Sequence, residues 1–272
     1  MNKPLSLLIV GIILAITNTS FAAELYPGQV VSGEIGKFGL QTLINLPEGD
    51  WTVAGIAKKN GGVRPVDLIL LQHSENKIKA YLHIRYVRST GKTQGYDPAA
   101  GWVPAEHNEN NICDDYSDQK SNYHNEMIEK RRQNLIQEGS CVAVYVLNDI
   151  GNAMDLAMEN SNHEAFEMLN SYVKRNNLSY PNALLSIDHA YFTEKNLVQI
   201  YFGVNPEFKG IESRSEIYFK DSDWHKYQID KHSEKNLFMS EAIFIGKDVL
   251  RSNLKRFQRG KSLDFYQYNN LY

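Results

Sequence analysis

Lys77-Ile78-Lys79-Ala80-Tyr81-Leu82-His83-Ile84-Arg85-Tyr86-Val87-Arg88 alternates apolar and polar side chains along its length. Ile78, Ala80, Leu82, Ile84 and Tyr86 fall on one side, and Lys79, Tyr81, His83 and Arg85 on the other. A period of two belongs to a β-strand with one buried and one polar face. Ser74-Glu75-Asn76 supplies a turn before it, and the apolar run 66–73 supplies an antiparallel partner, so 66–88 reads as a hairpin. Upstream, Leu46-Pro47-Glu48-Gly49-Asp50 is a turn cluster that feeds a strand over 51–57, with Asn60-Gly61-Gly62 as the next turn. Downstream, 183–192 and 197–204 form a second hairpin across Thr193-Glu194-Lys195-Asn196, and 215–219 adds a further strand.

Between and after the hairpins the pattern changes. The β-branched run 140–147 predicts a buried strand. Met127, Ile128, Leu135 and Ile136 predict a helix over 122–137, stopped by Gly139. Met154, Ala157, Met158, Ala165, Leu169, Tyr172 and Val173 recur at three- and four-residue steps and predict a helix over 152–175. Leu237, Met239, Ile243, Val249, Leu250, Leu254 and Phe257 do the same for 234–258. Strands and helices come in blocks, without β-α alternation. The expected fold class is therefore α+β: an antiparallel sheet built from hairpins, two long amphipathic helices packed on it, and one disulfide.

The start of the chain reads as an address. Lys3, an apolar run over 5–16 and a small-residue tail ending at Ala22 have the layout of a secretory signal peptide, too short to span a membrane. The expectation is cleavage after residue 22 and a single α+β domain over 23–272, divisible into halves 23–150 and 151–272. Lys3 is the one charged residue in that leader, so the remainder carries 28 basic and 32 acidic side chains. That mild acidity argues against a nucleic-acid partner. No second apolar stretch is long enough to cross a bilayer, so the exported chain is expected not to span one. The expected location is the periplasm, with release to the medium as the other destination. Two cysteines in an oxidising compartment predict a Cys113–Cys141 disulfide.

The stretch Leu46-Pro47-Glu48-Gly49-Asp50-Trp51-Thr52-Val53, with a hairpin and two distant cysteines behind it, resembles openings of uncharacterised exported proteins of Gram-negative bacteria. The resemblance implies a periplasmic location and assigns no activity and no catalytic residue.

The chemistry is sparse. There is no Gly-x-Ser-x-Gly, no Gly-x-Gly-x-x-Gly and no phosphate-binding loop. His163 and Glu167 stand at i and i+4, but a zinc-protease helix needs a second histidine there. The carboxylates of 106–118 match no calcium loop. No metal or cofactor is expected. Tyr81, His83 and Arg85 share a strand face and form a polar strip able to contact an anion or a sugar. The long irregular segment 89–125 carries Tyr96 and Trp102, aromatic contact makers of the kind that bind sugars, peptides or proteins. These residues predict a non-enzymatic envelope protein that binds a protein, peptide or glycan partner. The alternative is a periplasmic hydrolase whose site is assembled from His83, His107, Asp188 and His189. Asp188 and His189 are sequence neighbours on a strand, so they point to opposite faces and do not cooperate directly.

Overall fold

The computed structural model describes residues 25–36, 42–58, 63–89, 120–132, 135–148, 164–193, 196–214 and 221–272. Three two-residue strands, Val30–Val31 (β1), Glu34–Ile35 (β2) and Ile44–Asn45 (β3), precede the long ones. Trp51–Lys58 (β4), Val63–Ser74 (β5) and Lys77–Ser89 (β6) form one antiparallel meander. Lys120–Arg132 (β7), Leu135–Asn148 (β8), Ala183–Thr193 (β9) and Asn196–Val204 (β10) form another. β10 pairs with β6, which joins both meanders into an eight-stranded sheet of order β1-β4-β5-β6-β10-β9-β8-β7. A short helix, Glu164–Arg175 (α1), lies in the chain between β8 and β9, and a long one, Ser233–Gln258 (α2), follows β10. Leu263–Asp264 (β11) then pairs with β3, which also pairs with β2, in a small second sheet.

Both faces of the large sheet are buried. On one face Val142, Val144, Ile187, Ile200, Phe202, Leu82 and Leu68 pack under α2 and the C-terminal residues. The buried side of α2 runs through Phe238, Met239, Ala242, Gly246, Val249 and Leu250. A Cβ on Gly246 would lie 3.1–3.6 Å from side chains of Ile187, Val142 and Val144, so the missing side chain is what lets the helix lie close to β8 and β9. On the other face, Ala165, Leu169 and Val173 of α1 pack on Ala54, Ala57, Ile69 and Leu71 of β4 and β5. The contact is tighter still at Gly55, where a Cβ would fall 2.1 Å from the Ala165 carbonyl oxygen.

The expected architecture of two long helices is corrected on two counts. The segment read as a helix over 122–137 is instead the edge strand β7 and the start of β8. Ser121, Asn122, Tyr123, His124 and Asn125 have weak helix propensity, and pairing with β8 outweighs the partial apolar stripe. Its charges suit an edge strand, where they discourage further pairing. Gly139 stops no helix: it sits inside β8, where a Cβ would run into the Phe192 ring. The helix expected over 152–175 is described only as the 12 residues of α1, since 152–163 lie outside the described residues. That leaves α2, with 26 residues, as the one long helix among the described residues. Of the expected bridge, Cys141 is fully buried on β8 and is not a free thiol, and Cys113 lies outside the described residues. The strand expected over 215–219 also lies outside them. Both hairpins, the 51–57 strand and the 234–258 helix appear as expected, except that Leu237 is exposed and Phe238 takes its place in the core. Among the described residues no helix is long and apolar enough to cross a membrane.

Candidate functional site

The alternation in β6 places Tyr81, His83 and Arg85 on the α1 face of the sheet, and the pairing registers carry the same face across four more strands. One rung reads Asp67, Arg85, Gln199, Ala190, Cys141; the next reads Ile69, His83, Tyr201, Asp188, Ala143; the third reads Leu71, Tyr81, Gly203, Ser186, Tyr145. Opposed residues on neighbouring strands have Cβ atoms about 5 Å apart, so these rungs form one continuous polar strip. It is not the solvent-washed surface that its composition suggests. Asp67, His83, Asp188 and Gln199 are only 3–6% exposed, because the sheet is covered on this side too.

Burial forces the strip to be paired. His83 Nε2 meets Asp67 Oδ1 at 2.8 Å, and Arg85 Nε approaches the same oxygen at 3.7 Å. The His83 ring stacks on Tyr201, with centroids 5.1 Å apart, and receives Phe166 of α1 edge-on at 5.3 Å. Asp188 accepts hydrogen bonds from Ser186 Oγ at 2.7 Å and from the Tyr145 hydroxyl. Burial pushes the Tyr145 and Tyr81 hydroxyls well above the usual phenol range, with the charge on Asp188 adding to it, so both stay protonated donors. One group stands apart from this network. Gln199 Oε1 is buried and has no hydrogen-bond partner among the described residues.

No family model, curated protein or solved structure matches this chain.

Of the residues named from sequence, Tyr81, His83, Arg85 and Asp188 therefore meet on one face. Tyr96, Trp102, His107 and Cys113 lie outside the described residues. His189 is on the opposite face, as strand alternation requires. There its Nε2 is bonded to the Tyr268 hydroxyl and its ring stacks on Tyr191, with centroids 5.9 Å apart. Burial lowers its pKa to about 3, which makes it a neutral core histidine. The strip also contains residues the sequence reading passed over: Asp67, Tyr145, Ser186, Gln199 and Tyr201. A signal for three of them is present. Asp67 interrupts the apolar run 66–71, and Gln199 and Tyr201 alternate with Val198, Ile200 and Phe202. What no single strand reveals is the register that aligns them.

Chemically the strip offers an imidazole oriented by a carboxylate, a guanidinium, phenol donors and one unsatisfied amide oxygen. Its serine hydroxyl, Ser186 Oγ, donates to Asp188 rather than to an imidazole.

Proposed function

We propose that the protein is exported to the periplasm and acts there as a non-enzymatic binding protein of the cell envelope, recognising its ligand through the α1-face strip around His83, Arg85, Tyr201 and Gln199. The observation that carries this reading is the buried amide oxygen of Gln199, which has no hydrogen-bond partner among the described residues. A polar atom left unpaired in a protein interior costs about 1–3 kcal/mol, and natural structures leave few such atoms without a use. A ligand donor that pairs with it supplies the reason for its retention. The leader-like first 22 residues and the resemblance around Leu46–Val53 support the location.

Native mass spectrometry of the protein purified from a periplasmic extract, beside a denatured spectrum, tests the reading. A stoichiometric organic mass excess is expected, retained by the wild type and lost in Gln199→Leu without loss of folding. A bare wild-type monomer overturns it. The denatured mass also reports cleavage after Ala22.

A second reading, a hydrolase, draws on one observation: the buried His83–Asp67 hydrogen bond is of the kind that orients a general base. Labelling by a fluorophosphonate probe, abolished in His83→Gln, would favour it over a binding role.

A further inference from the structure

We propose that the cleft between Pro27–Gly28 and the outer side of α1 is a binding site for short zwitterionic peptides of three or four residues. It is separate from the strip, which α1 meets from its sheet-facing side through Phe166 against His83, and does not depend on it. The cleft has a volume of about 580 Å³, within the range of pockets that hold small ligands, roughly 300–1,000 Å³. One wall is the N-terminal segment, fixed to β4 by Gly28 N–H to Val53 O and Val53 N–H to Gln29 O, both 2.8 Å. The other is a stripe of α1 side chains at three- and four-residue spacing: Glu164 and Glu167 at one end, Met168 and Tyr172 in the middle, Arg175 at the other.

The charges are arranged by length as well as sign. Glu167 and Arg175 are eight residues apart on the helix, about 12 Å at 1.5 Å per residue. An extended peptide covers about 3.3–3.6 Å per residue, so three to four residues span that distance. A free α-ammonium then lies by Glu164 and Glu167, and a free α-carboxylate reaches Arg175, whose guanidinium suits bidentate pairing with a carboxylate. Met168 and Tyr172, both half-buried, give the peptide an apolar floor between its charged ends. Among the described residues no side-chain ion pair or hydrogen bond engages Glu164, Glu167 or Arg175, so these charges are available to a ligand. Acidic residues at a helix N-terminus and basic ones at its C-terminus also complement the helix dipole. That accounts for their signs, but not for an apolar floor and a second wall on the same side.

Isothermal titration at low salt with tetra-alanine, C-amidated tetra-alanine and N-acetylated tetra-alanine tests the proposal. Tetra-alanine is expected to bind. Amidation should weaken binding roughly tenfold, Arg175→Gln should weaken it equally, and amidation should add nothing in that variant. Acetylation and Glu167→Gln should behave the same way at the other end. Both substitutions are at exposed positions, so folding is preserved. Absence of binding by tetra-alanine, or equal binding of its free and amidated forms, overturns the proposal. Neither result bears on the organic adduct sought for the strip.

Discussion

Replacing Gly55 by Ala should dislodge α1 from the sheet. A Cβ at Gly55 would lie 2.1 Å from the Ala165 carbonyl oxygen and 3.0 Å from its carbonyl carbon. Ordinary contact begins at 3.4 Å, so the helix backbone must lift by about 1.3 Å, and a backbone cannot swing aside as a side chain does. The lift opens a gap beneath Leu169 and Val173, which are buried against Ala54, Ala57, Ile69 and Leu71. Each such side chain contributes about 1.5–3 kcal/mol on burial. A gap of 0.5–1 Å already forfeits a quarter to a half of the dispersion contacts. The expected loss is therefore about 2–3 kcal/mol, in line with measured overpacking costs of about 1–3 kcal/mol. At roughly 2–4 °C per kcal/mol for a chain of this size, the Tm should fall by about 4–12 °C. Gly246→Ala is the control. Its new Cβ meets a methyl of Ile187 at 3.1 Å and one of Val142 at 3.3 Å, side-chain atoms that can yield by a few tenths of an ångström. Exchanging glycine for alanine within a helix also returns about 0.5–1 kcal/mol. That variant should stay within about 1 kcal/mol of wild type. Thermal and urea unfolding followed by circular dichroism measure both. An unchanged Tm for Gly55→Ala, or equal losses at the two positions, would refute the reasoning.

Three further outcomes follow from the buried polar groups. His189 has a folded pKa of about 3 against about 6.5 unfolded. Between those values the unfolded chain binds the extra proton, so stability should fall by up to about 1.4 kcal/mol per pH unit as pH drops through that window; His189→Gln should flatten that part of a urea-midpoint profile. Asp223 is held below the usual carboxylate range chiefly by its hydrogen bond from Lys235, at 2.7 Å, despite partial burial. Its contribution is present above about pH 4 and is lost as pH falls through the lower folded value. Asp223→Asn should therefore be less stable than wild type at pH 7, with the gap closing near pH 3. Tyr145→Phe removes a donor from buried Asp188 and should cost about 1–3 kcal/mol in urea unfolding; an unaltered midpoint would mean that the phenol carries no weight there.

Strands were legible wherever one element's own pattern sufficed. The alternation of 77–88, the β-branched run 140–147 and the hairpin at 183–204 each carry their period in a few residues, and local turn chemistry separates them. The long helix was legible for the same reason, although its apolar stripe was misphased by one residue at Leu237 and Phe238. β7 was not legible as a strand. Its polar residues fit an edge position, but that position exists only because β8 is its neighbour. The strip was half legible: Tyr81, His83 and Arg85 lie on one strand and declare a shared face. Asp67, Gln199, Tyr201 and Asp188 come from three other strands, so their meeting depends on register.

The residues alone fix those local elements that carry their own period, such as 77–88, 140–147 and 183–204, because side-chain alternation is set by neighbours a few positions away. They also determine that Asp188 and His189 must face apart. Tertiary structure alone decided that the polar face of β6 is buried, since burial depends on α1 reaching across to β4 from a connection between β8 and β9. It decided too that Gln199 is left with an unsatisfied amide oxygen and that Pro27 faces Glu167 across a cleft. These pairings join residues more than a hundred positions apart, and no local pattern encodes a distance of that kind.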